Sequence, residues 1–174
     1  MIDFLCEMVA DYFVQQTTQS VKNITPSYQA RLSEQYNHDS RFQMNCRKLL
    51  GDVIEYNDRV DLPVIACVAL NESRFDYNAV SPDGARGIMQ VIGSNIRRFP
   101  RKKDWQIAID YLEEIGTRSK SWCHVLTEYN TGRNFCAKDK KNRSRQYAEK
   151  ILACKHFVEK KAACQYFDIC ETQL

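Results

Sequence analysis

The sequence predicts an all-α fold on three observations. Apolar residues recur three and four positions apart in several segments, the alternation typical of strands is nearly absent, and residues 62–70 are almost wholly apolar. With 174 residues, 44% hydrophobic and 27% charged, the chain is long enough to bury the core of one globular domain. No apolar run reaches the length of a membrane span, so no span is expected.

The N-terminal part is predicted to be one helix followed by a polar connection. The helix covers residues 4–16, and its apolar side consists of Phe4, Leu5, Met8, Val9, Tyr12 and Phe13. Residues 17–37 are polar and contain Pro26, which predicts mostly loop with a short helix over residues 28–35. Ser40 followed by Gln43 is a capping-box pattern, and it predicts a helix to about residue 57.

Glu72 lies at the C-terminal end of the apolar segment 62–70, which reads as a buried helix with Asp61 as its cap and Pro63 in its first turn. The helix dipole and the apolar neighbours both disfavour a charged carboxylate there, so they raise its pKa. A general acid that works near neutral pH needs such a shift. The alternative is an ordinary solvated residue at a helix end.

The loop over residues 76–87 has strong turn chemistry in its Ser-Pro-Asp-Gly run, residues 81–84. Gly87 has no Cβ and permits the close approach of backbone or ligand, or it simply opens the next helix. Met89 and Gln90 follow, either as core and surface residues or, for Gln90, as a hydrogen-bond donor and acceptor to a sugar.

Further helices are predicted over residues 88–96, from a cap at Asp104, over 121–129 and over 144–160. The residues of the Asp104 helix that are predicted to face inward are Ile107, Ala108, Tyr111, Leu112 and Ile115.

Three polar residues complete a candidate site. Tyr129 and Asn130 end an apolar helix, either as a core tyrosine and a helix cap or as hydrogen-bonding partners of a sugar N-acetyl group. Tyr147 either packs in the core or donates a hydrogen bond to the Glu72 carboxyl.

The net charge is only +3, but basic residues cluster at 97–103 and 138–145, both expected to be loops. Each cluster is either a solvated face or a surface for an anionic polymer. A Gly-rich phosphate loop and basic–aromatic interleaving are absent, so nucleic acid is not expected as a partner.

The chain has eight cysteines and three scattered histidines, and without a Cys-x-x-Cys pair no metal site is expected. Cys67 lies in the apolar helix and is predicted to be a free core thiol. Disulfides, if they form, are expected first among Cys154, Cys164 and Cys170. The oxidised and reduced states both stay open.

Several of these segments together resemble the soluble lytic transglycosylase domain of the lysozyme superfamily, in order and spacing, over residues 49–152. The residues that carry the resemblance are Glu72-Ser73, Ser81-Pro82-Asp83-Gly84-Ala85, Gly87-Ile88-Met89-Gln90, Tyr129-Asn130-Thr131-Gly132 and Tyr147-Ala148. Glu128 and Thr131 depart from the family pattern, and Glu128 places a second carboxylate next to the site motif.

The resemblance implies an all-α, lysozyme-like fold and a peptidoglycan lytic transglycosylase, a bacteriolytic glycan lyase that needs no cofactor. Glu72 is then the sole catalytic acid and base, cleaving between N-acetylmuramic acid and N-acetylglucosamine to give a 1,6-anhydro product. The implied substrate-binding residues are Ser73, Ser81, Gly87, Met89, Gln90, Tyr129, Asn130 and Tyr147, with Tyr147 orienting Glu72.

Two alternatives remain. One is a lysozyme-type hydrolase of the same bond, with Asp76, Asp83 or Glu128 activating water; the other is a non-catalytic wall-binding or structural component of a particle.

The expected organisation is an N-terminal helical extension (1–40), the transglycosylase domain (41–160) and a Cys-containing tail (161–174). The N-terminus lacks the basic start and long apolar stretch of a secretory signal. This favours an enzyme associated with a phage virion that acts in the periplasm and cell wall. An exported periplasmic enzyme is the alternative. The expected partners are glycan strands and other proteins of the virion or of a secretion machine.

Overall fold

The computed structural model describes residues 1–20, 25–36, 40–137 and 141–167. Within these ranges the chain forms eight helices and no strand, which confirms the all-α prediction. The helices are α1 (Ile2–Ser20), α2 (Pro26–Gln35), α3 (Arg41–Tyr56), α4 (Leu62–Ser73), α5 (Gly93–Arg98), α6 (Asp104–Arg118), α7 (Trp122–Thr131) and α8 (Arg143–Phe167). None of these helices has both the length and the apolar character that crossing a membrane requires.

The prediction that residues 17–37 are mostly loop was wrong. Helix α1 continues to Ser20, because its last polar residues bond back to the helix itself. Thr17 Oγ1 donates to Phe13 O at 2.9 Å, and Ser20 Oγ donates to Gln16 O at 2.8 Å. Pro26 opens α2 instead of interrupting it, since a proline in the first turn loses no helical hydrogen bond.

Helices α3 and α4 begin where the capping residues predicted. Ser40 Oγ accepts a hydrogen bond from Gln43 N at 3.2 Å, and Asp61 Oδ1 accepts one from Val64 N at 3.1 Å. The reciprocal half of the capping box is missing, because the Gln43 amide donates to Cys6 O at 3.1 Å instead. Every residue of α4 from Val64 to Leu70 is buried, as its continuous apolar run predicted.

The helix predicted over residues 88–96 is only half present. The backbone has positive φ at Gly87 (78°) and Gln90 (52°), which helical residues do not adopt. Arg86 and Val91 instead exchange two backbone hydrogen bonds of 2.9 Å, closing a tight turn, and α5 begins at Gly93.

The other helix ends differ from the predictions by small amounts. Lys103, not Asp104, is the N-cap of α6, and Asp104 is its first residue. Helix α8 runs past residue 160 to Phe167, so part of the predicted tail is helical. Residues 97–98 are helical rather than loop, and the second basic cluster contains residues 138–140, which lie outside the described ranges.

One hydrophobic core joins the helices. Helix α8 packs against α1, α4 and α7, and α4 also packs against α1 and α3. The first helix contributes buried residues to the same core, although it precedes the segment that carries the site motifs. The apolar helix α4, surrounded on three sides, is therefore held firmly at the centre of the fold.

Three disulfides tie these helices together: Cys6–Cys46 between α1 and α3, Cys67–Cys154 between α4 and α8, and Cys123–Cys136 between α7 and the loop after it. The prediction that Cys67 is a free thiol was wrong, because α8 brings Cys154 against it. Cys154 therefore does not pair within the tail. Cys164 is also disulfide-bonded, and Cys170 lies outside the described residues.

The C67A/C154A double variant is expected to unfold at a free energy about 2–5 kcal/mol lower than the parent protein, measured by chemical denaturation. Cys67 and Cys154 are 87 positions apart, so their bridge restricts the unfolded chain strongly. The C123A/C136A variant is the matched control; its bridge spans only 13 positions, and its loss is expected to be about 1–2 kcal/mol smaller. Eight free thiols in the denatured, unreduced protein would contradict this assignment.

Candidate functional site

Glu72 occupies the last turn of α4, and the chain beyond it is bent sharply. Arg74 (φ 54°) and Phe75 (φ 61°) both adopt the left-handed conformation, which is costly for residues other than glycine. Phe75 is held in this conformation because its ring is fully buried against Phe42, with ring centroids 4.9 Å apart. The bend ends the helix immediately after Glu72 and leaves its carboxyl half-buried.

Two polar side chains also hold the bend in place. Asn45 Nδ2 donates to Phe75 O at 2.7 Å, and Ser73 Oγ donates to Ile88 O at 2.7 Å. The same Ser73 oxygen accepts from Asp76 N at 3.1 Å. Ser73 therefore joins the end of α4 to the loop that follows, and this is the role that its contacts give it.

The Tyr147 phenol donates a hydrogen bond of 2.6 Å to Glu72 Oε1, the contact that the sequence predicted. Tyr147 lies on α8, and the Cys67–Cys154 disulfide joins the same two helices. The disulfide is five residues, or about 7.5 Å of helix, from Glu72. A covalent bond and a hydrogen bond thus connect the two antiparallel helices and fix where the carboxyl lies.

The surroundings of Glu72 keep it protonated to a higher pH than usual. Burial raises the pKa of the carboxyl, and the Tyr147 hydrogen bond lowers it by a smaller amount, because it stabilises the carboxylate. Burial and the nearby Glu72 charge together hold the pKa of Tyr147 and of Tyr129 well above the ordinary value. Both phenols therefore remain hydrogen-bond donors.

The Glu72 carboxyl lines a cleft of about 510 Å³. Of the predicted site residues, Ser81, Gln90, Tyr129 and Asn130 also line it. The remaining lining residues come from the loop after α4, the turn before α5, and helices α5, α6 and α7: Asp83, Ala85, Val91, Ile92, Asn95, Ile107, Ala108, Tyr111, Thr131 and Gly132.

Two of the predicted polar residues hold the cleft wall together and also line it. Gln90 Nε2 donates to Ala79 O at 3.2 Å and to Gly87 O at 2.9 Å, so only its side-chain oxygen is left for a ligand. Tyr129 donates its phenol proton to Met89 O at 2.7 Å, so its ring stays available to a ligand but its hydroxyl proton does not. Ser81 Oγ accepts from Ala85 N at 3.0 Å, which leaves its O–H as a donor.

Gly87 and Met89 do not line the cleft. Met89 is fully buried, and its contribution is the carbonyl that binds Tyr129. Gly87 lies against α6, where a Cβ on its backbone would overlap the Asp104 carboxylate. Both residues support the wall from behind, and the prediction that they bind substrate stays a prediction.

The segment that carries this cleft matches a known protein family. The family model described as Transglycosylase SLT domain matches residues 52–152, more than half of the chain. The chain belongs to the transglycosylase SLT domain family. The match runs from within α3 through Glu72 and the cleft to Tyr147 in α8. Neither the curated proteins nor the solved structures give a match.

Membership of the SLT family indicates what kind of protein this is. Its fold is the lysozyme-like all-α fold, and its activity is that of a lytic transglycosylase on peptidoglycan. The substrate is accordingly cell-wall glycan. Among the described residues no group of three or more histidine, cysteine, aspartate or glutamate side chains that could hold a metal ion occurs.

Glu128 does not supply this SLT domain with a second carboxylate in the cleft, which corrects the expectation from its position. Its oxygens bind Arg118 Nη2 at 2.9 Å and His124 Nε2 at 3.0 Å, and it does not line the cleft. Asp76 does not line it either, because its carboxylate caps the turn at Asn78 N at 2.9 Å. Asp83 does line it, on the exposed turn after α4.

The α6 side of the cleft was not predicted. Ile107, Ala108 and Tyr111 were expected to face inward, and they do, but the surface that they reach is the cleft wall. The Tyr111 ring lies 6.0 Å from that of Tyr129. No signal in the α6 sequence distinguishes a residue facing the core from one facing a cleft, since both are apolar and share one helical face.

A second, larger groove lies elsewhere on the SLT chain. It has a volume of about 790 Å³ and is lined mainly by apolar residues of α1, α8 and the start of α4. It contains none of the predicted site residues.

Substitution of Gly87 by alanine is expected to lower the free energy of unfolding by about 1–3 kcal/mol or more, because the new Cβ requires both a strained φ and a shift of Asp104. Gly84→Ala has the same φ strain in open space and should cost about 1–2 kcal/mol. Gly51→Ala, in the middle of α3, should be neutral or stabilising by about 0.5–1 kcal/mol. Equal losses for G87A and G84A in denaturation curves would show that the Asp104 contact is unimportant.

Proposed function

We propose that this SLT domain cleaves the β-1,4 bond between N-acetylmuramic acid and N-acetylglucosamine and forms a 1,6-anhydro-muramyl product, with Glu72 as the single acid and base. The observation that carries the proposal is the half-buried Glu72 carboxyl, which lines the cleft, has a raised pKa and is held by Tyr147. A general acid needs this combination of access, protonation and fixed position.

The reaction proceeds in two steps. Protonated Glu72 donates its proton to the glycosidic oxygen as the bond from C1 to that oxygen breaks, and the substrate's 2-acetamido oxygen bonds to C1. Glu72, now a carboxylate, then takes the proton of the muramyl C6 hydroxyl. The C6 oxygen attacks C1 and displaces the acetamido oxygen, which closes the anhydro ring and leaves Glu72 protonated again. Because the substrate supplies the nucleophile, no second carboxylate is needed, in contrast to the two-carboxylate glycosidases.

Four further residues have cleft positions suited to binding the sugar. Ser81 has an O–H to donate, and Gln90 has a free side-chain oxygen. Asn130 is exposed at the end of α7, where its amide offers both a donor and an acceptor. The Tyr129 ring provides an apolar face beside Glu72. We propose these four as substrate-binding residues, with Ser73, Gly87 and Met89 supporting the wall on which they lie.

A hydrolase of the same bond is the second candidate, and the position of Asp83 in the cleft is the observation that favours it. The two reactions differ by one water in the mass of the released muropeptide. The third reading, a non-catalytic component of a particle, predicts no turnover at all. Association with a virion, and with other virion or secretion-machine proteins, stays a prediction.

Glu72→Gln is expected to reduce the release of muropeptides from purified sacculi by about 10² to 10⁴-fold or more, without loss of the fold. The amide has the same shape and can still accept the Tyr147 hydrogen bond, but it cannot deliver a proton. Glu113→Gln, on an exposed position of α6, is the matched control and should keep full activity. A folded E72Q protein with turnover near that of the parent would refute the catalytic role of Glu72.

Tyr147→Phe is expected to slow the reaction by about 2- to 160-fold, the equivalent of a lost hydrogen bond worth about 0.5–3 kcal/mol. It should also change the pH profile. The general acid must be protonated, so the rate falls as the pH rises through the pKa of Glu72. The Tyr147 hydrogen bond lowers that pKa, so removing it shifts the alkaline limb of kcat/KM to higher pH.

The exposed Tyr28→Phe is the matched control for this change. If Y147F keeps both the rate and the position of the alkaline limb, Tyr147 contributes packing alone.

A further inference from the structure

The segment that runs from the turn after α4 to the start of α6 has a charge distribution that the proposed reaction does not use. Residues 84–103 include six basic residues and no acidic one. Five of the six fall within residues 97–103, and all seven residues of that stretch are exposed. This concentration contrasts with a net charge of only +3 for the whole chain.

Most of this charge has no acidic partner among the residues that the structure describes. Lys102 forms an ion pair with Asp110 and a hydrogen bond with Tyr56. The other four basic residues of the stretch form no ion pair within the described part of the chain. We call these four the basic strip: Arg97, Arg98, Arg101 and Lys103.

The basic strip begins where the cleft wall ends. Asn95 lines the cleft, and Arg98 lies three residues further along α5, on the same face of the helix. Ile107 also lines the cleft, and Lys103 precedes it by four residues at the start of α6. Arg98 therefore lies about one turn after the cleft residue Asn95, and Lys103 lies about one turn before the cleft residue Ile107.

An aromatic residue lies within the basic strip. Phe99 is 38% exposed, which is high for so large an apolar side chain, and the Arg98 guanidinium lies 5.2 Å from its ring centroid. The strip therefore offers cationic groups beside an apolar surface. A peptide with free carboxylates and aliphatic carbons matches both features, whereas a simple inorganic anion matches only the first.

We propose that the basic strip binds the carboxylates of the peptide stems of peptidoglycan, and so selects peptide-bearing glycan over bare glycan. The inference rests on the proposed function, because it needs a glycan strand in the cleft. A stem attached to a muramyl residue in the cleft must leave over its rim, and at the α5–α6 rim it meets the strip. The strip attracts an acidic substrate, and salt screens this attraction. Association of the protein with the substrate is therefore expected to be favoured most at low salt.

The test measures binding in the E72Q background, so that no substrate is consumed. Binding of E72Q to sacculi is compared by co-sedimentation with its binding to glycan from which an amidase has removed the stems. The expected result is about ten-fold tighter binding to intact sacculi at low ionic strength, a preference that weakens as salt is added. The R97Q/R98Q/R101Q triple change in the same background should abolish the preference.

The matched control removes the same charge elsewhere. Arg59, Lys120 and Lys160 are exposed, and none of them lines the cleft, so R59Q/K120Q/K160Q should keep the full preference. Circular dichroism establishes that both triple variants are folded. If the strip variant retains the preference, or the control loses it equally, the proposal is wrong.

Two further measurements distinguish peptide recognition from a general attraction for anions. If the strip variant loses the same binding to intact and to stem-free glycan, the strip does not recognise peptides. If it loses binding only to anionic lipid vesicles or duplex DNA, the strip serves another polyanion, and the proposal is wrong in that case too. Failure of the proposed function would appear separately, as a parent protein that releases no anhydro-muropeptide.

Discussion

The burial of a single carboxyl group is the constraint on which this structure depends. In the proposed reaction Glu72 must be buried enough to stay protonated and accessible enough to reach a glycosidic oxygen, and the end of a buried helix that faces a cleft meets both demands. The buried part of α4, from Val64 to Leu70, supplies the apolar surroundings. The left-handed turn at Arg74 and Phe75 leaves the carboxyl accessible from the cleft, because it ends the helix one residue after Glu72. The backbone strain of that turn is offset by the burial of Phe75 in the core.

The rest of the fold holds this helix in place. Helix α8 is joined to α4 by a disulfide at one level and by the Tyr147 hydrogen bond at another, so the disulfide limits how far the backbones that carry the phenol and the carboxyl can separate. Helix α1 lies outside the segment matched by the SLT family, yet it packs on α4 and α8 and is bound to α3 through Cys6–Cys46. The N-terminal helix is thus part of the support for the cleft, and its removal would expose the side of α4 that it covers.

Residues near Glu72 in sequence and residues far from it both line the cleft. The loop after α4 provides the polar groups closest in sequence to Glu72, while α5, α6 and the end of α7 provide lining residues more distant in sequence. Several side chains that look available in the sequence are occupied by backbone partners. Gln90, Tyr129 and Ser73 each use a hydrogen bond to keep the wall in shape, which fixes the geometry and leaves fewer donors for a ligand. Exposed positive charge lies instead beyond the wall, in the basic strip.

The sequence alone determined the features that depend on local chemistry. The apolar run of α4 with its cap, the turn after it and the position of Glu72 all follow from neighbouring residues, and so does the order of motifs that marks the SLT family. The tertiary structure decided which distant segments meet: Cys67 with Cys154, Tyr111 with Tyr129, and Glu128 with Arg118 rather than with the cleft. These pairings depend on how helices cross, and a helical pattern specifies which face is buried but not which helix covers it.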